Sequence, residues 1–385
     1  MDNSPICWMV FRRALVDWLF IYSRFIILQT GTMSQEAQQA PYDTLLDSRA
    51  IQQIITKAEE KGLPGVPSGF IDLDRVTNCW KGSTLTVIAG PPSMGCTSLL
   101  LAFLRNAVVE FKKTTALFSL QLSREQLLTK WLSAETEIPY GKIESGNLHD
   151  HEWLKLNTST ALWTSHAEAF IRVLDDANPT IEKVMDDCRR LREEGVSLFL
   201  IDNLSRITLG KESRAFCPNR EQEVSHIIRC LKSLARELDA PVIVVSHMNR
   251  SGRERSYSFY RPQLGDLRDS GTVEYEADVI ILLHRPEYYK QTEDEMGNPT
   301  YNTAELIVAK NAFGRTETVQ VEFKSACGRF SNQEQPRFGE SSFDEEGGFA
   351  PNTIRLASRL NTSPSGKKAP QPFPRSNFDD GPPPF

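Results

Sequence analysis

One stretch limits what this chain can fold into more than any other: Leu85-Thr-Val-Ile-Ala-Gly-Pro-Pro-Ser-Met-Gly-Cys-Thr97. Leu85 to Ala89 is a short, largely apolar run with β-branched residues and no turn former, which reads as a buried strand. The run breaks at Gly90-Pro91-Pro92, turns through Ser93, Met94 and Gly95, and enters an apolar helix at Thr97-Ser-Leu-Leu-Leu-Ala-Phe-Leu104. Strand, glycine loop and helix form the setting in which G-x-x-x-x-G-K-[ST] cradles phosphates. Backbone N–H groups and the helix N-terminus face the anion there. Gly90, Gly95 and Thr97 hold the pattern's places, but Cys96 stands where the lysine belongs. The loop keeps its shape and lacks its charge.

Around this stretch the apolar runs alternate in kind. Strand patterns fall at 85–89, 115–119, 170–174, 198–201, 242–246 and 279–284, and helical patterns at 97–111, 123–136, 180–194 and 220–238. Such alternation predicts an α/β fold with a mostly parallel sheet and helices on both faces. Two closely spaced runs, 303–309 and 316–323, predict an antiparallel hairpin at the sheet edge. Hydrophobic content of 40% suffices for a core of this kind, and a net charge of −6 argues against a generally basic nucleic-acid coat. The seven cysteines form no C-x-x-C pair, which points to a reduced, intracellular protein without structural disulfides or zinc.

The ends read differently from the middle. Residues 1–42 form an N-terminal extension whose apolar part, Trp8 to Leu28, is interrupted by Arg12, Arg13, Asp17 and Arg24. A membrane span wants about 20 predominantly apolar residues, so no span is expected, and no signal-peptide cleavage site is present. The segment reads either as an interfacial amphipathic anchor or as untranslated sequence before a true start at Met33; the second is the simpler reading. Residues 43–61 have helical spacing at Leu46, Ile51, Ile54, Ile55 and Ala58, and Gly62 to Gly69 marks a hinge. From about residue 333 the chain is rich in Pro, Gly, Ser and charge, a composition that cannot bury enough apolar surface to order itself.

Taken together, several stretches carry a family resemblance. They are Ser68-Gly-Phe-Ile-Asp-Leu-Asp74, Pro92-Ser-Met-Gly95, Phe118-Ser-Leu-Gln-Leu-Ser123, Leu200-Ile-Asp-Asn-Leu204, Asn219-Arg-Glu-Gln-Glu-Val-Ser225, Leu231-Lys-Ser-Leu-Ala-Arg-Glu-Leu238, Asp266-Leu-Arg-Asp-Ser-Gly271 and Glu276-Ala-Asp-Val279. In this order, over residues 62–332, the chain resembles the C-terminal motor domain of the bacterial DnaB-type replicative DNA helicase. The resemblance implies a RecA-like three-layer fold, ATP and Mg²⁺ as cofactors, single-stranded DNA as partner, and a ring, hexameric in that family, in the cytoplasm. It also implies that helix 43–61 is a linker docking on a neighbouring subunit; the family's N-terminal helical domain, which meets primase, has no counterpart here. The nucleotide set carried over is Gly90, Pro91, Pro92, Ser93, Met94, Gly95, Cys96, Thr97 and Asp202, with Thr97 and Asp202 on the metal.

The resemblance also shows where the chain departs. Cys96 replaces the lysine, and Gln121 replaces the carboxylate of Ser-Leu-Glu-Met-Ser; an amide orients water but cannot take its proton. His247 replaces the γ-phosphate-sensing glutamine, and Ala312 replaces the arginine that acts on the next subunit, while Lys310 remains. All four changes weaken hydrolysis. Two loops face DNA in this reading: Arg250, Arg253, Arg255 and Arg261 lie beside Tyr257, Phe259 and Tyr260, suited to a single strand or, in the other reading, a solvated loop, and Arg268, Ser270 and Gly271 match the family's pore loop. Three readings follow. The first is a DNA-binding, weakly nucleotide-binding helicase relative with impaired ATP hydrolysis, in a homo-oligomeric ring or a mixed ring with an active paralogue. The second is an active helicase in which Lys310 or another base replaces the loop lysine. The third is a non-catalytic platform for the C-terminal tail.

That tail ends Asn377-Phe-Asp-Asp-Gly-Pro-Pro-Pro-Phe385, which resembles the acidic tip of bacterial single-stranded-DNA-binding protein. Asp379 and Asp380 would meet a basic rim while the Phe385 ring and α-carboxylate fill a pocket. The other reading is a plain solubilising tail. The tip reading predicts that a peptide of residues 377–385 binds proteins that recognise such tips, and that deleting Phe385 abolishes binding. Competition that survives the deletion would reduce the effect to non-specific charge attraction.

Overall fold

The structure, a computed structural model, describes residues 65–333 apart from 249–260, 268–269, 294–296 and 298. The extension 1–42, the linker helix 43–61 and the tail from residue 334 onward lie outside the described residues. Among those described, nine strands form one sheet: β1 Leu85–Gly90, β2 Thr115–Ser119, β3 Ile171–Leu174, β4 Leu198–Asp202, β5 Val242–His247, β6 Val279–His284, β7 Thr303–Asn311, β8 Glu317–Lys324 and β9 Arg329–Asn332. Their order is β3-β2-β4-β5-β1-β6-β7-β8-β9. The first six are parallel and β7 and β8 join antiparallel, as the sequence predicts, with β9 a third antiparallel strand beyond them.

The parallel strands read as continuous apolar runs because both faces are covered. On β1, Ile88 belongs to one core and Leu85, Val87 and Ala89 to the other. The same period of two divides Leu198 and Leu200 from Phe199 and Ile201 on β4, and Val279, Ile281 and Leu283 from Ile280 and Leu282 on β6. Helices Cys96–Arg105 and Arg124–Thr136 cover the first face, with Phe103 edge-on to both Phe70 and Trp80. Helices Ile181–Glu193 and Arg220–Glu237 cover the second through Val184, Leu191, Ile228 and Leu231. Each fully buried Leu, Ile or Val contributes roughly 1.5–3 kcal/mol, so both layers are strongly held and the strand register is fixed.

Several elements differ from the sequence reading. The helix expected over 97–111 ends at Arg105 and continues as a π-helical turn, Asn106–Glu110. There the Asn106 side chain, buried, donates to the Ser68 carbonyl at 2.9 Å and ties the turn to the N-terminal segment. Helices Ile71–Thr77, Tyr140–Ser145, Asp150–Phe170 and Ser270–Glu276, and strand β9, carry no clear apolar period and are additions. Phe170, expected to open a strand, is the last residue of a helix. None of the described helices is long and apolar enough to cross a membrane.

At the end of β6, His284 is 3% exposed, stacks on Tyr289 at 5.7 Å between ring centroids, and leaves Nδ1 without a hydrogen-bond partner. Burial, with the nearby Arg261 charge acting the same way, pushes its pKa down to about 4. An unfolded histidine binds a proton near pH 6.5, so between there and about 4 the unfolded chain holds more protons than the folded one. This contribution is fully present above about pH 6.5 and is lost as pH falls. We expect wild type to lose about 2 kcal/mol more stability than His284→Phe between pH 7 and pH 5 in urea unfolding. Equal losses in the two proteins would show that His284 is not held neutral.

Candidate functional site

Parallel register brings the carboxyl ends of four strands together. Gly90 at the end of β1 pairs with His247 at the end of β5, and Ser119 at the end of β2 pairs with Asp202 at the end of β4. Such a line of strand ends is where open α/β sheets bind ligands. The cavity there has a volume of about 750 Å³, ample for a nucleotide, and its lining includes every residue from Gly90 to Thr97 together with Gln121, Asp202 and His247. All of the residues expected to hold nucleotide are therefore at one place.

The loop's shape follows from two glycines. Gly95 has φ 102° and ψ 25°, a left-handed conformation, and precedes helix Cys96–Arg105 without any side-chain cap. The first-turn N–H groups thus lack the side-chain acceptor that most helices supply. A Cβ on Gly90 would lie 3.0 Å from Cys96 Sγ and 3.3 Å from the Leu283 carbonyl oxygen, so strand, loop and helix close tightly here. Cys96 is a neutral thiol, because burial pushes its pKa up to about 12 and the Asp202 charge adds to the effect.

Thr97 Oγ1 donates to Asp202 Oδ2 at 2.7 Å. Asp202 is 2% exposed, and its second oxygen, Oδ1, is buried without a hydrogen-bond partner. Burial raises its pKa, against the opposing Thr97 hydrogen bond and the His247 and Lys130 charges. A hydroxyl and an unsatisfied carboxylate oxygen facing a phosphate cradle are the donors a small hard cation takes, so the residues fit Mg²⁺.

Beside this pair runs a chain of hydrogen-bonded side chains. Asn203 Nδ2 donates to Gln121 Oε1 at 2.8 Å and lies 3.0 Å from His247 Nε2, while Asn203 Oδ1 accepts the Ser205 N–H at 3.1 Å. An amide in this position holds water but does not become a base. Lys310 lies elsewhere. Its Nζ donates to the carbonyls of Glu274 and Tyr275, at 2.7 and 3.1 Å, so within its own chain it does not stand in for the loop lysine.

Other residues of the site were missed by sequence reasoning. Arg285 follows β6, is 8% exposed, and places its guanidinium 4.2 Å from the Phe323 ring centroid. Lys130, Asn203, Phe323 and Phe330 also surround the loop. Asn203 and Arg285 share a signal with Asp202, a polar residue just past an apolar strand. The two phenylalanines come from the far hairpin and have no local signal. Arg250, Arg253, Arg255 and Arg268 lie outside the described residues. The chain enters their two stretches after Met248 and Leu267, which pair in an antiparallel bridge. Ser270 and Gly271 open helix Ser270–Glu276, with Gly271 exposed.

Comparison with known proteins agrees with this geometry. The DnaB-like helicase C-terminal domain family model matches residues 65–332. The replicative DNA helicase DnaB of Leifsonia xyli subsp. xyli is 36% identical over 305 residues, covering 79% of this chain and 63% of that protein. That of Geobacillus stearothermophilus is 36% identical over 280 residues, covering 72% and 59%. The chain thus spans about three fifths of the length of these relatives. Among solved structures, one described as an ATPase domain matches with a TM-score of 0.67 at 28% identity, covering 76% of this chain and all of that one. A DnaB-like replicative helicase, described with its interactions with primase, matches with the same TM-score and identity over 76% of this chain and 69% of its own. The fold is RecA-like, in three layers.

The left-handed turn at Gly95 gives a direct test of the loop's shape. Gly95→Ala puts a Cβ in a conformation that costs L residues about 1–2 kcal/mol, and urea unfolding should show that loss. An unchanged midpoint would mean that the loop does not hold this turn.

Proposed function

The chain belongs to the DnaB-like helicase C-terminal domain family, and on that premise we propose that it is a DNA-binding helicase relative in replication with impaired ATP hydrolysis. The observation that carries the proposal is the combination at the cavity. A phosphate loop and a metal pair, Thr97 with Asp202, stand beside a neutral thiol at Cys96 and a hydrogen-bonded Gln121–Asn203–His247 chain. Binding features persist, while Cys96 brings no positive charge to the loop and the Gln121 amide cannot take a proton from water.

Magnitudes separate the two halves of this reading. Losing one charged hydrogen bond to phosphate costs about 1.5–3 kcal/mol, which weakens nucleotide binding without abolishing it. Losing a general base costs about 10²–10⁴ in rate, and losing an arginine finger roughly 10³–10⁵. These factors do not simply multiply, yet either alone would stall a motor. Mg²⁺, held by Thr97 and Asp202, would neutralise phosphate charge. Gln121 would orient water without accepting its proton, and His247, linked to it through Asn203, would stand at the position that senses the terminal phosphate. Single-stranded DNA would contact the arginines at 250, 253, 255 and 268, with Ser270 and Gly271 at the second loop.

The proposed assembly is a hexameric ring in the cytoplasm, of identical copies or mixed with an active relative whose arginine reaches the neighbouring site. Lys310 would face such a neighbour. The tail would recruit proteins that recognise the tip of single-stranded-DNA-binding protein.

Steady-state ATP turnover with single-stranded DNA tests the reading. The wild type should turn over slowly or not at all. Cys96→Lys should tighten nucleotide binding about tenfold or more while turnover stays low, since Gln121 and Ala312 are unchanged. Rapid turnover by either protein would overturn the proposal and leave an active helicase with unconventional residues.

A further inference from the structure

Arg285 is the buried cation that the nucleotide reading leaves without a role. β6 is buried along its length, and Arg285 continues it in an extended conformation, φ −132° and ψ 101°. The strand period therefore puts Arg285 on the same face as Leu283. Leu283 is the residue whose carbonyl and Cβ close on Gly90, opposite Cys96 Sγ. One step further along that face, the Arg285 guanidinium donates from Nη1 to the carbonyl oxygen of the loop residue Ser93 at 3.4 Å and lies over the Phe323 ring. The same ring is the nearest neighbour of Gly95 from outside the loop.

The side chain is not balanced by an acid. Two other cations of the fold that are partly buried have carboxylates in contact: Lys232 holds Asp278 at 2.7 Å, and Arg105 holds Glu110 and Glu135 at 2.9 Å each. Among the described residues Arg285 makes no such ion pair. The carboxylate that acts on it, Glu287, is itself engaged by the Asn302 N–H at 3.1 Å. A guanidinium has five N–H donors, and a single carbonyl at long range leaves most of them unused. Burying such a group without an anion is unfavourable, and stacking on Phe323 offsets only part of the cost. A planar fork with unused donors at the edge of a phosphate loop is suited to phosphate oxygens.

We propose that Arg285 supplies, from strand β6, the positive charge on the nucleotide's phosphates that the loop itself lacks at Cys96. This rests on the nucleotide-binding reading above and extends it: the ligand class is a nucleoside polyphosphate, and the cation comes from the strand instead of the loop. The stacked Phe323 ring fixes the direction of the guanidinium, and the Ser93 carbonyl holds it at the loop until phosphate arrives.

The test is equilibrium titration of the full chain with ATP and with adenosine in the presence of Mg²⁺, for wild type, Arg285→Gln, Arg285→Lys and Cys96→Lys/Arg285→Gln, each with its thermal melting curve. We expect Arg285→Gln to weaken ATP binding about 10- to 100-fold and adenosine binding by less than about threefold. Arg285→Lys should fall between it and wild type, because the charge remains and the fork does not. The lysine of the double variant should restore most of the lost affinity for ATP, which a packing role of Arg285 on Phe323 would not allow. If wild type binds ATP and Arg285→Gln binds it equally well, this inference fails and the nucleotide reading stands. If Arg285→Gln loses ATP and adenosine alike, melts early and is not rescued by the lysine, Arg285 is structural and the inference also fails. If wild type binds no nucleotide, both fail together.

Discussion

Everything in this fold depends on β1 being covered on both faces. Ile88 packs into one core and Leu85, Val87 and Ala89 into the other, so the strand cannot slip by a residue without exposing one set and burying the wrong one. Its neighbours β5 and β6 are held the same way, which fixes Gly90 opposite His247 and Ala89 opposite Leu282. The loop after β1 then has one place to go. It turns through a left-handed Gly95 and starts a helix whose apolar face closes the first core. The cradle follows directly from that packing.

Chemistry at the cradle is a matter of where charge is allowed. Asp202 sits at a buried strand end, where a bare carboxylate is unfavourable unless something takes its lone pairs; Thr97 takes those of one oxygen and leaves Oδ1 unsatisfied. Cys96, in the adjoining helix turn, adds no charge because burial and the same carboxylate hold its proton. Gln121, Asn203 and His247 satisfy one another. The arrangement offers an anion the loop's N–H groups and a cation the Thr97–Asp202 pair, while Cys96 and the two amides bring neither charge nor base. Arg285 is the exception, a full charge brought to the loop from a strand that carries no recognisable phosphate motif.

The sequence by itself determined the class of the fold, eight of the nine strands, the loop and the polar end of the cavity around it. Short continuous apolar runs and helical apolar periods mark buried strands and helices in most tertiary contexts, and a glycine loop between strand and helix has few other uses. It determined as well that Cys96, Gln121 and Ala312 carry no positive charge and no carboxylate, since residue type alone decides what can carry a charge. What it left open was set by contacts between residues far apart in the chain. The long helix Asp150–Phe170 has no strong apolar period, and its place is seen only in its contacts with helix Arg124–Thr136 and β3. The π turn after Arg105 depends on Asn106 reaching the Ser68 carbonyl. Arg285 meets Ser93 and Phe323 only because β6 lies beside β1 and β8 folds back across the edge. Local pattern reports which face of an element is buried; only the assembled sheet decides which side chains from separate elements share a cavity, because that is fixed by strand order and register.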